Sequence, residues 1–368
     1  MRNFSNNINN KGVIVQQKSI IRNTGYTTIY TKPNPAITKL DLLRNGHSPK
    51  IYLSRKNGGI GDILMTTPLV RELANKYNIK ITYGVDYGYL DGSLEKTLRY
   101  NPYIDKIVPW KEVEENEFDV VVDLTCPCVA HEQPKAPPVN RIDLFARYVH
   151  VKLTDTSLIY VLQDEEIEWA RNYITNKNLD KYRQLVLVQP SSSAIHRDLP
   201  ADKLKYLIVK SVQQKRNVGY LVITHESDNK KDINWNDINN VHILKNLDIR
   251  QLAAIMKCCN MVLCPDSSIL HLASALHMKT LTIFGPTDPY ARVNYHPEAV
   301  AYWPGKELSN YPIWYSPSVD NYICWKRAEV DILSKILLAM INDQPLPICR
   351  DIVTFGNFQT ENQYYEIL

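Results

Sequence analysis

Two separate series of short apolar runs, each alternating with helical patterns, constrain the fold of this chain more than any other feature. The first series begins at residue 51 and the second at residue 184. Runs such as 120–122 are apolar at every position, which indicates strands covered on both faces, as in a parallel sheet. Two blocks of alternating strands and helices predict two Rossmann-like, doubly wound α/β domains that face a cleft.

The predicted boundaries divide the 368 residues into four parts. They are a basic N-terminal extension whose two β-type runs could form a hairpin (1–50), a first domain (51–175), a second domain (176–340) and a C-terminal tail (341–368). Within the first domain we expect one helix over 63–77 and a long proline-rich loop over 126–141. The end of the tail is polar and contains tyrosine.

Charge is spread unevenly along the chain. Residues 1–56 hold ten Lys or Arg against the single acid Asp41, a net charge of +9, so the remaining residues sum to −5 of the overall +4. Such a basic arm predicts a polyanionic partner, whether nucleic acid, an anionic glycolipid or a membrane surface. A solvated extension with no partner is the alternative.

Composition also limits the compartment and the cofactors. No uninterrupted apolar run reaches the roughly 18 residues of a membrane span, and the polar N-terminus does not resemble a secretory signal. The seven cysteines lack metal-type spacing, which favours reduced thiols in a cytoplasm. We therefore expect a cytoplasmic protein without metal or other cofactor. With a glycolipid acceptor it would lie at the inner membrane surface, and as a viral protein it would lie in the host cytoplasm.

The stretch CPDSSILHLASALHMKTLTIFGPTDP (264–289) carries the strongest functional signal. Asp266 follows a strand, and Ser267 or Ser268 can cap the next helix, whose N-terminal N–H groups suit a diphosphate. His271 lies about one turn inside that helix. Gly285 and Thr287 follow the next strand, at the same carboxyl edge of the sheet. The alternative is a capped helix with a buried histidine and no ligand.

This stretch resembles the signature of glycosyltransferase family nine, the heptosyltransferase type. The matching residues are Asp266, Ser267, His271, Leu272, Ala273, Ala275 and Phe284 through Pro289. Ser268 departs from the pattern, because the family usually has glycine there. The resemblance implies a B-type glycosyltransferase fold, a nucleotide-sugar donor held by the second domain, and an acceptor bound by the first.

A glycine-rich turn, Asn57-Gly-Gly-Ile-Gly-Asp62, links the first predicted strand to its helix. From the residues alone, Asp62 is an acid that the helix dipole favours. The resemblance implies that Asp62 is the general base for inverting transfer, with Gly59 and Gly61 on the acceptor side. Inversion needs a base on the acceptor hydroxyl, opposite the departing nucleotide diphosphate.

Two further loops complete the predicted donor site. Arg197 lies three residues before Pro200, where the family often has a cation that contacts the diphosphate, and Ser192 and Ser193 could add hydroxyl donors. Glu226 follows a strand at the place where the family binds the donor ribose. An ordinary polar loop and a surface acid are the alternatives.

Four basic residues, Arg55, Lys56, His131 and Arg141, are predicted on the acceptor side, where a basic rim would favour an anionic acceptor; solvated loop charges are the alternative. Three functions stay open. The first is metal-independent transfer to a bacterial surface glycan, with ADP-heptose as the family's usual donor. The second is virus-encoded glycosylation of DNA bases, and the third is non-catalytic nucleotide-sugar binding, which Asp62 argues against.

Overall fold

The computed structural model of the chain describes residues 13–15, 49–56, 58–125, 127–132, 138–224, 233–306, 308, 323–356 and 358. Its contacts divide the chain into two compact units, Met1–Val161 and Leu162–Leu368. This division lies fourteen residues before the boundary that the sequence suggested between 175 and 176.

The first unit is built on a parallel sheet, to which the described residues contribute five strands in the order β1-β5-β2-β3-β4. The central strand β2 is buried at all five positions, as expected of a parallel strand whose sheet is covered on both faces. The strands are β1 (Val13–Val15), β2 (Ile51–Arg55), β3 (Ile81–Val85), β4 (Ile104–Pro109) and β5 (Val120–Asp123).

The edge strand β1 belongs to the segment for which a hairpin was suggested. It pairs in parallel with β5, with Val13 opposite Val120, and so extends the first sheet. The other half of the suggested hairpin lies outside the described residues.

The helices of the first unit are α1 (Ile60–Leu64), α2 (Thr67–Tyr77), α3 (Ser93–Leu98), α4 (Pro127–His131) and α5 (Arg141–Tyr148). The prediction of one helix over 63–77 was wrong. Pro68 lies in the first turn of α2, where a missing N–H costs nothing, whereas inside a continuous helix it would remove a hydrogen bond. The prediction of a continuous loop over 126–141 was also wrong, since α4 begins at Pro127.

The second unit contains a larger sheet, with seven strands among its described residues in the order β12-β11-β10-β9-β6-β7-β8. Every pairing is parallel except that of β12, which lies antiparallel to β11. The strands are β6 (Gln184–Val188), β7 (Val218–Ile223), β8 (Val241–Leu244), β9 (Met261–Pro265), β10 (Thr280–Ile283), β11 (Ala299–Tyr302) and β12 (Ile352–Thr354). Strand β12 shows that the predicted tail (341–368) contributes a strand to this sheet.

The helices of the second unit are α6 (Asp164–Asn176), α7 (Ala201–Gln214), α8 (Ile249–Lys257), α9 (Ser268–Ala275), α10 (Ile323–Arg327) and α11 (Val330–Ile341). A capping box starts α8: the Asp248 carboxylate accepts from the amides of Arg250 and Gln251, both at 2.9 Å. Helix α6 is tied to α8 because Glu166 accepts from Arg250 Nε at 2.6 Å. Parallel sheets alternating with helices in both units confirm the predicted α/β class.

A hydrophobic core in the second unit joins the sheet to α7 and α11, with Leu207, Tyr220, Leu263 and Leu337 all fully buried or nearly so. Because β6, β9 and β10 are neighbouring parallel strands, their carboxyl ends lie together at one edge of the sheet. Across the described part of the chain, no helix combines the length and apolar character needed to cross a membrane.

Candidate functional site

Asp266 lies directly after β9 and is 2% exposed. Its carboxylate is 3.5 Å from Arg197 Nη1 and 3.9 Å from Arg292 Nε. Burial alone would raise the pKa of this carboxyl, but Arg197, Arg292, His271 and the Thr287 hydroxyl together lower it below its usual value. Asp266 is therefore a buried carboxylate whose charge two guanidinium groups balance.

Arg292 is a residue that the sequence analysis missed. It follows a short 3₁₀ turn, Pro289–Ala291, whose N-cap residue is Asp288. The Asp288 carboxylate accepts from the Tyr290 amide at 2.8 Å. The signature residues therefore build the turn that places Arg292 against Asp266. The only available signal was its position three residues beyond Pro289.

Ser267 is the N-cap residue of α9, with extended backbone at φ −151°. Its hydroxyl does not cap the helix and instead donates to Gln189 Oε1, a second contact that the sequence did not reveal. The first N–H groups of α9, beginning at Ser268, lack intrahelical acceptors, and with the helix dipole they suit an anion. His271 lies on the first turn and is 5% exposed.

The loop after β6 brings Arg197 towards the same edge of the sheet. Arg197 Nη2 donates to Ser193 Oγ at 2.7 Å, so these two predicted residues lie together. The Ser192 hydroxyl donates within its own loop to the Ala194 carbonyl at 2.9 Å, while its amide donates to Asp198 at 2.7 Å. Ser192 thus shapes the loop.

Gly285 has a packing role that the sequence did not predict. A Cβ at this position would lie 2.3 Å from Cζ2 of Trp325, and the Trp325 indole donates to the His196 carbonyl at 3.0 Å. Thr287, two residues later, is buried beside Asp266. Glu226, the suggested ribose contact, lies outside the described residues.

In the first unit, Asp62 lies in the first turn of α1. Its Oδ2 accepts from the Gly59 amide at 2.9 Å, which makes Asp62 part of the capping of its own helix. Its Oδ1 contacts Arg141 Nη1 and lies 3.4 Å from Arg55 Nη2. Two guanidinium groups therefore stabilise the negative charge of Asp62.

Arg141 is the first residue of α5, whose N-terminus the Asn140 side chain caps at 2.9 Å. A second carboxylate, Glu132, accepts from Arg141 Nε at 2.7 Å and from Nη2 at 2.6 Å. Burial would lower the pKa of Arg141, but Asp62 and Glu132 raise it well above its usual value. The sequence analysis did not identify Glu132, because nothing local marks a buried acid beside a proline-rich segment.

The glycines of the turn have different roles. Gly58 has φ +119°, a conformation that favours glycine, and a Cβ there would come within 2.8 Å of the Arg55 guanidinium. Gly59 supplies the amide that binds Asp62, and Gly61 is buried within α1. The turn is thus shaped to bring Arg55 and Asp62 together.

The predicted basic rim is not a free positive surface. Arg55 is 4% exposed, pairs with Asp62 and donates to the Leu124 carbonyl at 2.6 Å. Lys56 pairs with Asp123 at 3.0 Å and lies over the Trp110 ring at 5.1 Å. With Arg141 held by Asp62 and Glu132, three cations meet three carboxylates. The fourth predicted rim residue, His131, is half-buried and is the last residue of α4.

The two arrangements suit different chemistry. The edge around Asp266 offers two guanidinium groups and a helix N-terminus, which can hold a diphosphate. The edge around Asp62 offers an oriented carboxylate, which can accept a proton. Within the ranges that the structure describes, no three His, Cys, Asp or Glu residues are grouped to hold a metal ion.

Comparisons with known proteins agree with these features. A model of glycosyltransferase family 9 (heptosyltransferase) matches residues 129–311. A family 9 glycosyltransferase from Veillonella parvula is 16% identical, with a TM-score of 0.62 over 80% of this chain and 98% of that one. The E. coli ADP-heptose LPS heptosyltransferase II is 13% identical, with a TM-score of 0.59 over 80% and 99%.

The dodecameric iron-containing heptosyltransferase TibC, in complex with ADP-D-β-D-heptose, is 9% identical, with a TM-score of 0.58 over 80% of this chain and 77% of that one; TibC comes from enterotoxigenic E. coli. A search of curated proteins found no match. The structural likenesses show that this chain has the fold of the heptosyltransferase-type glycosyltransferases.

Proposed function

We propose that this chain, a heptosyltransferase-like glycosyltransferase of family 9, moves a sugar from a nucleotide-diphosphate sugar to an acceptor hydroxyl with inversion and without a metal ion. The observation that carries the proposal is the pairing of Arg197 and Arg292 around buried Asp266, beside the N-terminus of α9. These groups provide the positive charge that a departing nucleotide diphosphate requires.

The proposed reaction is one displacement. The acceptor oxygen attacks the anomeric carbon, the bond from that carbon to the diphosphate oxygen breaks, and Asp62 takes the hydroxyl proton. The nucleotide diphosphate leaves with the bonding electron pair. Arg197, Arg292 and the amides of α9 stabilise its charge, the task that a divalent cation performs in metal-dependent transferases.

We propose ADP-heptose as the first donor to test, because the names of two similar proteins contain it. A thermal-shift screen against ADP-, UDP-, GDP- and CDP-sugars identifies the nucleotide, since ligand binding raises the melting temperature. Turnover of the donor that binds is then measured with a chelator and with added Mg²⁺ or Fe²⁺. Turnover that falls with the chelator and returns with one of these ions would overturn metal independence.

The role of Asp62 is tested by Asp62→Asn. We expect turnover to fall at least about a hundredfold with donor affinity nearly unchanged, because the base acts on the acceptor. Asp123→Asn is the matched control, since it removes a carboxylate paired with Lys56 at the same sheet edge. Near-normal turnover in Asp62→Asn would remove Asp62 from the mechanism.

The acceptor has two candidate classes. A bacterial surface glycan is the first, in keeping with the lipopolysaccharide named for one similar protein. DNA is the second, favoured by the net charge of residues 1–56. Because Val13–Val15 pairs with β5, deleting the arm would also remove an edge strand. Changing the seven Lys and Arg residues of 1–48 to Gln is the cleaner test.

This neutralised variant is compared with the parent for binding to duplex DNA and to anionic and neutral vesicles at two salt concentrations. A DNA acceptor predicts parent binding that falls steeply with salt, with a log–log slope of about −0.9 per phosphate contact. A membrane-bound acceptor predicts salt-sensitive binding to anionic vesicles alone. No binding of the parent to DNA at low salt would exclude the nucleic-acid class.

A further inference from the structure

The guanidinium of Arg141 is shared unequally between two carboxylates. Glu132 takes the Nε–Nη2 edge, with contacts of 2.7 and 2.6 Å. Asp62 accepts from Nη1 through Oδ1, while its Oδ2 accepts from the Gly59 amide. An arginine forms its strongest carboxylate pair through two parallel N–H bonds from one edge. Glu132 thus occupies one such edge of Arg141, and Asp62 contacts Nη1, the nitrogen outside that edge.

This sharing occurs in a largely buried place, where charges are weakly screened. The side chains of Glu132, Arg141 and Asp62 are 2%, 13% and 15% exposed. The groups that face Asp62 from the surrounding elements include Arg55 of β2 at 3.4 Å, Tyr83 of β3, Cys128 of α4, and Arg141 with Glu132 behind it. Arg141 and Arg55 pair with Asp62, and the charge of each opposes protonation of its carboxylate.

We propose that Glu132 is a positioning residue that holds Arg141 by its paired edge and so limits how strongly Arg141 neutralises Asp62. The proposal rests on the proposed function, in which Asp62 accepts the acceptor's proton. A base needs enough affinity for that proton, and a carboxylate in a full two-nitrogen pair with arginine has less. With Glu132 in place, Arg141 still orients Asp62, and Asp62 keeps its affinity for the proton.

The decisive variant is Glu132→Gln, which preserves the shape of the side chain and removes its charge. A glutamine has one terminal acceptor atom where glutamate has two, so it cannot form the two parallel N–H···O bonds with Nε and Nη2. Arg141 is then free to turn its paired edge towards Asp62. The matched control is Glu95→Gln, which removes an equivalent Glu–Arg pair, Glu95 with Arg99 Nε at 3.1 Å and Nη2 at 2.8 Å, on α3.

The first readout is independent of activity. In protein labelled with ¹³C at the aspartate carboxyls, the Asp62 signal is assigned by its loss in Asp62→Asn and followed through a pH titration. We expect its midpoint to move to lower pH by about one unit in Glu132→Gln, the low end of what closer pairing with an opposite charge produces. The midpoint should not move in Glu95→Gln. An unchanged midpoint in folded Glu132→Gln would overturn the proposal.

The second readout is the release of ADP from ADP-D-β-D-heptose with water as acceptor. The acid limb of this rate should move to lower pH in Glu132→Gln, and its plateau should fall by about three- to tenfold, because a weaker base removes the proton less effectively. If Glu132→Gln does not fold, Glu132→Asp takes its place. Its side chain is one methylene shorter, so its carboxylate holds Arg141 less closely and should shift the midpoint in the same direction by less.

The two proposals fail in different ways. Asp62→Asn with full activity refutes the base, whatever Glu132 does to the Asp62 midpoint. An inactive Asp62→Asn together with an unmoved midpoint in Glu132→Gln refutes only the positioning role. A purely structural role for Glu132 would lower the melting temperature and leave both the midpoint and the acid limb in place.

Discussion

The substitution Arg197→Gln tests the proposed donor site, because Arg197 contributes less to packing than Arg292 does. Arg197 is 20% exposed, lies 3.5 Å from Asp266 and donates to Ser193. Arg292, by contrast, is 7% exposed, and its loss would disturb packing as well as charge. A glutamine at 197 keeps a polar side chain in the loop and removes the charge that we assign to the diphosphate.

The expected loss of donor affinity is that of one charge-assisted hydrogen bond. Its loss costs about 1.5–3 kcal/mol of binding free energy, which raises the donor Kd by about 10- to 150-fold. A buried charge that loses its only partner lowers the free energy of unfolding by about 3–5 kcal/mol. The loss in Arg197→Gln should be smaller, because Asp266 keeps Arg292 at 3.9 Å. Removing Arg197 should also raise the pKa of Asp266, so the stability that its ionised form contributes above its unfolded pKa shrinks.

Calorimetric titration with ADP and with ADP-D-β-D-heptose measures the first effect, and thermal unfolding measures the second. Lys210→Gln is the control, since it removes a cation paired with Asp331 elsewhere in the second unit. Both variants must first show the unfolding profile of a folded protein. Donor binding by Arg197→Gln that equals that of the parent, in a protein shown to bind either nucleotide, would refute the donor role of this loop.

Three further predictions concern stability. Gly285→Ala should cost about 1–3 kcal/mol by overpacking against Trp325, whereas Gly88→Ala, where a Cβ meets nothing closer than 3.5 Å, should be nearly neutral in chemical denaturation. Asp248→Ala should cost about 0.5–2 kcal/mol by uncapping α8, and an unchanged melting temperature would contradict the capping role. Burial lowers the pKa of His296 from 6.5 to about 3, so unfolded chains bind a proton below pH 6.5 that folded ones do not. Stability should therefore fall by about 2 kcal/mol from this residue between pH 7 and pH 5, and His296→Gln should remove that part of the slope in denaturant titrations at the two pH values.

Local patterns were sufficient for the fold class and for most strands. Continuous apolar runs such as 185–188 and 261–264 predicted buried parallel strands, because a strand covered on both faces has no solvent side to alternate with. Short strands at sheet edges were missed, among them Ile352–Thr354, since three residues carry too little periodicity. The break between α1 and α2 was missed although Pro68 marked it.

The candidate sites divide in the same way. The sequence by itself identified Asp266, Ser267 and Arg197 as the carboxyl-edge residues of neighbouring strands, because the topology of a doubly wound sheet brings such loops together. It could not identify Arg292 or Glu132, whose importance comes from the charge that each one meets across the fold.

The tertiary structure also changed the meaning of residues that the sequence had found. Arg55 and Arg141 read as a basic rim along the chain, yet each lies against the carboxylate of Asp62, 7 and 79 positions away in sequence. Composition counts charges one by one, whereas burial decides which of them must be paired, since an unpaired charge in a weakly polar interior is costly. The sequence therefore determined the architecture and the kinds of groups at each edge, and packing alone decided which carboxylate each arginine balances.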